Sequence, residues 1–585
     1  MLLVTAIAIA LGIWILQRTN ETPEAELVPI PLTSYPGFEA YPSFSPDGTQ
    51  VAFQWCTEEP SANCDIYVKQ IGMEPPSRLT TDPVDDFSPA WSPDGQFIAF
   101  LRKVSATRTA LMLIPQRGGP ERLLGESDIT KGGLLYGPYL TWTPDSKWLV
   151  LPWGEADKPL TGLFLFNVET RETRRLTRSF LDNAPAFSPD GRSLGFNRAG
   201  SILNLPLDLI YLLHLTKDYQ PEGEPEPVAP VAESYENLGA AWTADGRDIV
   251  FSSGKWSGKW VNSGLWRVAA SAGARPRRLA FASEAASQPA VSRLRDRLAY
   301  VVNRTDPNIW RIDLRSPGQN PGIPARLIAS TREEQNPAYS PDGKRIVFVS
   351  DRSGAPEIWV CASDGSNPVQ LTAFGGDPVQ TTQWSPDGQN IAFAAALAGN
   401  QDLYIVSANG GPVRRLTSQP AGDAWPYWSR DGQSLYFKSN PGASSQIWKM
   451  PANGGEAVQV TRHGGDAPQE SPDGKFVYYE KGWPAHCGVW KVPVGGGEEV
   501  KVLDSTHPEA GWAVGKRGIY FFTPPDGQGH SDISLYKFAT GQTSRILTIE
   551  REAYYRIAIS PDERTILYVQ YDQAGSDLML VENFR

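Results

Sequence analysis

Short runs of alternating apolar and polar residues, broken every few positions by Gly, Pro, Asn or Asp, fill the chain from about residue 28 to its end. Arg345–Ser350 (RIVFVS) is typical, and alternation with period two predicts a half-buried strand. One phrase organises the runs: aromatic-Ser-Pro-Asp-Gly, two variable residues, then an apolar strand ending in an aromatic. It reads FSPDGTQVAF to Phe53, WSPDGQFIAF to Phe100, FSPDGRSLGF to Phe196, YSPDGKRIVF to Phe348 and WSPDGQNIAF to Phe393. Looser copies centre on Asp145, Asp245, Asp296, Asp431, Asp473 and Asp562, with a degenerate one at Trp512; the turn Asp residues of adjoining intact units stand 42 to 55 positions apart.

Each unit follows one grammar. A strand ends in the aromatic, and Pro, Asp and Gly then supply a tight turn through fixed φ, a local acceptor and positive φ respectively. An alternating strand follows, then a third carrying an aromatic, such as EIWVC (Glu357–Cys361), then a hairpin turn and a fourth, such as VQLT to Thr372. Four antiparallel strands in about 45 residues predict one blade of a β-propeller. A lone blade leaves both faces wet, so blades must stack into a ring.

Twelve such units exceed one ordinary disc. The fold expected is all-β, two tandem six-bladed β-propellers of four-stranded antiparallel blades, preceded by one N-terminal transmembrane helix; seven plus five blades is the other partition. Val28–Thr33 (VPIPLT) and Arg326–Thr331 (RLIAST) each read as a fourth strand placed ahead of its ring, closing it against the last three strands of the same half. The domains expected are an anchor at 1–18, a linker at 19–27, a first propeller at 28–318 and a second at 319–585.

The anchor rests on Met1–Leu16 (MLLVTAIAIALGIWIL), which carries no charge and is followed by Gln17 and Arg18. As a helix it would extend about 24 Å, near the thickness of a bilayer core. A cleaved signal peptide would show a basic start and a small-x-small site; the run has neither, and its lack of a basic flank leads us to expect residues ahead of Met1. The expected placement is the bacterial inner membrane, single-pass, with the propellers in the periplasm.

Composition narrows the classes. Gly and Pro make up about 18 % of the 585 residues, yet 41 % are hydrophobic and 62 are aromatic, which fits a turn-rich chain with a full core rather than disorder. Net charge is −11, against the basic face of a nucleic-acid binder. Of four cysteines, Cys56 and Cys64 bracket CTEEPSANC between two strand-like runs, and a hairpin would bring them together as a disulfide suited to an oxidising compartment; chance placement is the alternative. Cys361 and Cys487 read as lone thiols.

Tyr339–Thr372 (YSPDGKRIVFVSDRSGAPEIWVCASDGSNPVQLT) closely resembles the repeat of the TolB family of periplasmic propellers. The resemblance extends from Val28 to Arg585 and implies the propeller fold and binding of an envelope protein or peptide. The two-disc arrangement behind an anchor is also similar to the extracytoplasmic part of CadC-type membrane winged-helix regulators. The primary expectation is therefore a membrane-anchored binding or sensing module whose partners are an envelope protein or peptide and, through the N-terminal helix, the membrane, with no nucleic acid bound by this chain. The alternatives are the sensor part of a regulator lacking its winged helix, and a carboxylate-dependent hydrolase or lyase.

Gly-x-Ser-x-Gly, Walker, HExxH, EF-hand and CxxC patterns are absent, so no catalytic residue, cofactor or metal is expected. The candidate ligand-binding residues lie in loops joining one blade to the next. Glu39, Asp86, Asp182, Glu334 and Asp423 stand eight positions before a turn Asp, and Asp377, Asp466 and Glu552 lie within two places of that register. At channel mouths they would favour cations or a basic peptide; the plain alternative is that they accept local N–H groups. His463, His507 and His530 fall in loops on the same expected face.

Overall fold

The computed structural model describes residues 27–585 except 58–62, 106–107, 128–139, 154–161, 180–181, 199–208, 230–235, 257–260, 283–284, 315–320, 376–378, 398–399, 443, 483–486, 508–510, 527–529 and 551–552. Strands and turns make up the described chain. Nine separate antiparallel sheets hold four strands each, and a tenth, larger sheet holds ten.

The repeat phrase folds as its chemistry dictates. In Phe187–Ser193 the Ser188 hydroxyl donates to Asp190 Oδ1 at 2.6 Å, and the same Asp oxygen accepts the Arg192 N–H at 3.0 Å. Gly191 takes φ of 71°, a conformation that favours glycine. The aromatic that closes each phrase becomes a wedge between neighbouring blades: Phe53, Phe100, Phe196, Phe251, Phe348 and Phe393 are all fully buried, as are Tyr300, Tyr479 and Tyr568 in the equivalent place, where Phe437 and Phe521 are buried too. Burying such a ring contributes about 1.5–3 kcal/mol.

The first strand of each unit touches the first strand of the next, and these contacts close on themselves twice. One circuit runs through Phe38–Phe44, Asp86–Trp91, Thr141–Trp142, Asp182–Phe187, Glu236–Trp242 and Ala286–Val291, then back to Phe38–Phe44. The other runs through Glu334–Tyr339, Val379–Trp384, Asp423–Trp428, Asp466–Glu470, Trp512–Val514 and Ala553–Ile559, then back to Glu334–Tyr339.

Closure does not come from within each half, as the sequence leads one to expect. Arg297–Asp313 is one strand of 17 residues and Thr565–Glu582 one of 18, and they pair antiparallel along their whole length. The early part of Arg297–Asp313 sits beside Ala286–Val291, whereas its later part (NIWRID) pairs with Ala325–Ile328 in the second circuit. Conversely the late part of Thr565–Glu582 (DLMLV) returns to the first circuit and pairs with Ile30–Pro31. Asn303–Asp306 and Gln573–Ser576, where hairpin tips are expected, pair with each other instead. Neither segment offers the Asn-Gly or Pro-Asp-Gly chemistry that would force a turn, so the strand runs straight through.

The core follows the exchange. Leu578 and Leu580 pack with Val51, Phe53 and Val301, while Ile309 packs with Phe348, Leu567 and Val569. The fourth-strand role of the N-terminal segment is equally plain. Leu578 N donates to Thr33 Oγ1 at 2.8 Å, just as Ile66 N donates to Thr80 Oγ1 at 3.0 Å within a contiguous blade.

The expected placement as a single-pass inner-membrane protein held by an N-terminal helix is corrected. No described helix is long and apolar enough to cross a membrane, and the described elements are strands. The apolar run at 1–18 and the linker up to residue 26 lie outside the described residues.

Candidate functional site: the channel of the second circuit

First strands are sheet edges that line the axis of each circuit, and the sequence blunts them. Register shifts mark a bulge in each of Glu334–Tyr339, Val379–Trp384, Asp423–Trp428, Asp466–Glu470 and Ala553–Ile559. The bulge residues Asn336, Thr381, Trp425, Ala467 and Arg556 all have positive φ, from 49° to 94°. Non-glycine residues in that region carry strain that the surrounding sheet must hold in place. Pro337, Pro426 and Pro468 follow three of these bulges and remove an edge N–H. The wall therefore offers side chains rather than a free ladder.

Those side chains enclose a cavity of about 440 Å³ in the second circuit. Its lining runs from Trp425 and Arg556 past Tyr427 and Gln469 to the turn residues Arg430, Lys516 and Pro561. The Arg556 guanidinium lies 4.4 Å from the centre of the Trp425 ring. At the rim, Lys516 Nζ donates to the Pro561 carbonyl at 2.8 Å. The lining carboxylate Glu563 accepts from Arg517 Nε at 2.6 Å, from Tyr520 OH at 3.1 Å and from the Lys516 N–H, and Glu470, next to the lining residue Gln469, accepts from the Arg430 N–H. A volume of this size falls within the range of ligand-binding pockets.

The described acids singled out by register are already engaged, and all but the half-buried Asp466 are buried. Asp86 holds Arg102 through two bonds of 2.7 and 2.8 Å, and Asp182 holds Arg198 through two of 2.6 and 3.0 Å. Glu334 accepts from Ser330 Oγ at 2.7 Å and Arg352 at 2.8 Å. Glu39 accepts from Thr33 Oγ1 and from Tyr35 N at 3.3 Å, and burial pushes its carboxyl up to about 7. Burial likewise pushes Asp423 up to about 6 against the pull of the Ser439 and Thr417 hydroxyls. Asp466 pairs with Lys438 at 2.5 Å. Asp377 and Glu552 lie outside the described residues.

The fourth-strand Thr adds a second link. Thr80 donates to Asp65 in its own blade at 3.1 Å and also reaches Asp86 of the next, while Thr417 does the same for Asp402 and Asp423. These groups brace one blade against its neighbour. The histidines engage separate partners: the exposed His463 ring lies 3.6 Å from Glu499, the His507 backbone N–H donates to Phe522 O at 2.8 Å, and the His530 ring lies 3.6 Å from Asp526. Among the described residues no three His, Cys, Asp or Glu side chains gather closely enough to hold a metal. Cys56 and Cys64 are joined by a disulfide across the hairpin mouth.

Sequence reasoning missed both the Arg partners and the channel residues. The first had a signal, since Arg102 and Arg198 each follow their acid by 16 residues. The second had one as well: the position six before the turn Asp reads Tyr41, Ser88, Ala184, Asn336, Thr381, Trp425, Ala467 and Arg556, a free choice of residue inside an otherwise strict repeat.

The family model described as the TolB beta propeller domain matches residues 28–202 and 370–529. An uncharacterized protein of Agrobacterium fabrum is 28 % identical over 238 residues, covering 37 % of this chain and 68 % of its own length. Among solved structures, one described as a TolB from Agrobacterium tumefaciens is 20 % identical with a TM-score of 0.40, covering 46 % of this chain and 99 % of its own. TolB from Acinetobacter baumannii is 18 % identical with a TM-score of 0.34, covering 47 % and 65 % respectively. With the family model matching more than half its length, the chain belongs to the TolB beta-propeller domain family.

Proposed function

We propose that this chain is a protein- or peptide-binding module built from two six-bladed propellers, and that it reads its partner at the channel mouth of the second. Supporting the blade count are the two closed circuits of six first strands. The observation that carries the binding site is the 440 Å³ cavity itself, with exposed Arg430 and Lys516 at its rim and Trp425 and Tyr427 on its wall. Aromatic and Arg side chains beside a concavity are the usual anchors of protein recognition. An envelope protein or peptide is the finer form of this reading.

The test is site-specific photo-crosslinking. A crosslinking residue at Lys516 should capture a discrete partner from cells producing the full chain, whereas one at Val369, exposed on an outer strand of the same circuit, should not. Equal capture at both positions, or none at Lys516, refutes the reading.

A further inference from the structure

Resting on that reading, we propose that the second channel takes a proline-rich segment of its partner, held in the extended polyproline II form. The argument starts from unspent donors. The strand Asp423–Trp428 (DAWPYW) brings Trp425, Tyr427 and Trp428 to the wall of the cavity. Trp428 is only 8 % exposed, yet its Nε1 has no hydrogen-bond partner among the described residues. Its counterparts Trp142, Trp242 and Trp384 donate to the carbonyls of Ala90, Ala186 and Ala338 in the preceding blade, at 2.9, 2.9 and 3.1 Å. The ring N–H of Trp425 and the hydroxyl of Tyr427, both half-buried, likewise donate to no described residue. One strand thus sets three unpaired ring donors along one cavity.

The wall spends its acceptors elsewhere. Glu563 accepts from Arg517, Tyr520 and the Lys516 N–H, and Gln469 Oε1 accepts the Val514 N–H at 2.9 Å. A matching ligand therefore supplies acceptors, brings few donors of its own and lays apolar surface on the rings. Proline meets all three terms. It has a carbonyl but no N–H, and polyproline II makes no internal hydrogen bonds, so its carbonyls are free. Its fixed φ also lowers the cost of ordering the segment on binding. Bulges and Pro residues along the channel edges work against strand addition, which leaves docking on an aromatic-lined wall as the mode for an extended partner. Arg556 already lies over one face of Trp425, so the contact asked of that ring is its N–H edge.

End-capped decaproline and an end-capped glycine–serine peptide of the same length, followed by ligand-observed saturation-transfer NMR on the full chain, test the preference. Decaproline should bind and the glycine–serine peptide should not. Neither peptide is charged, so binding should change less than about twofold between about 50 mM and 0.3 M salt. Tyr427→Phe and Trp428→Phe each remove one donor and keep the ring; each should weaken decaproline about three- to tenfold, and the pair more. Trp242→Phe, the same change in the first circuit, should leave binding unchanged. A melting temperature within a few degrees of the parent shows that a variant still folds, and Tyr427→Phe, the loss of one oxygen, carries the test alone should Trp428→Phe unfold. No binding of decaproline, equal binding of the glycine–serine peptide, or full binding by the folded variants overturns the proposal. If Lys516 still crosslinks a partner while decaproline fails, the proline inference falls alone; if neither succeeds, the binding reading falls with it.

Discussion

Arg556 and Trp425 meet within 4.4 Å although their strands stand three places apart in a circuit of six, on opposite sides of the channel. Two long side chains, each on a bulge with positive φ, thus bridge the axis of the second circuit. A cation over an indole contributes about 0.5–2 kcal/mol, depending on its exposure to water. Trp425→Ala should lower stability by about 1–2 kcal/mol, measured by chemical denaturation. Ala467→Ser, a small change at the same bulge position in the next blade, should stay within about 0.5 kcal/mol. Equal effects would show that the bridge carries no stability.

Glu39 and Glu333 flank the crossing strands and make stability fall as pH rises. Ser576 in the returning strand bonds the Glu39 backbone on both sides, and Thr305 in the outgoing strand donates to Glu333 Oε1 at 3.2 Å. Burial is the first cause that pushes each carboxyl up to about 7, with Asp577 adding repulsion at Glu39 and Asp351 at Glu333. A raised carboxyl keeps its proton in the folded state to a higher pH than in the unfolded chain. The folded protein therefore holds extra protons between about 4.5 and 7, and stability declines across that window. For Glu39 alone the decline is of order 2–3 kcal/mol. Urea midpoints from pH 5 to 8 should show it, and Glu39→Gln should flatten the slope. A parent curve that rises with pH over this range contradicts the assignment.

The repeat was legible because local chemistry dictates it: Ser, Asp and Gly close the same turn wherever the phrase occurs, and its last aromatic is buried each time. Blade boundaries could be read for the same reason. What stayed hidden depends on contacts between distant segments. Nothing near Asn303–Asp306 says that it will pair with Gln573–Ser576, some 270 residues on. The register acids were visible as a pattern, but a carboxylate facing an open channel and one enclosed by Arg198 look alike in sequence. Trp425 and Arg556 stood out only as departures from a rule, which a search for recurring residues passes over.

Asp182 separates a brace from a turn residue. It is buried beneath Arg198, which it holds through two bonds, and Arg198 also lies over the Tyr211 ring at 4.6 Å. Removing one partner of a buried pair leaves the other charge uncompensated, at a cost of about 3–5 kcal/mol. Asp182→Ala should therefore destabilise by that order in a denaturant titration. Asp190→Ala, eight residues on at the exposed turn, loses bonds to Ser188 and Arg192 only and should cost about 1 kcal/mol. A reversed ranking would place the structural load in the turns instead.

The exchanged strands make the two circuits interdependent. A fragment of residues 28–318 keeps NIWRID, whose partners Ala325–Ile328 and Thr565–Gln570 lie in the other half, and lacks DLMLV, which its own closure requires. A fragment of 319–585 has the opposite surplus and deficit. Each alone presents an unpaired apolar strand edge, which invites aggregation. Produced together, the halves should rebuild both closing sheets and co-purify as a one-to-one complex, with Asp577–Val581, whose strand partners all lie in the first fragment, protected from hydrogen exchange only when that fragment is present. Two halves that are separately soluble, separately protected and do not associate would mean that each circuit closes from its own chain, and the continuous pairing of Arg297–Asp313 with Thr565–Glu582 would have to be redrawn.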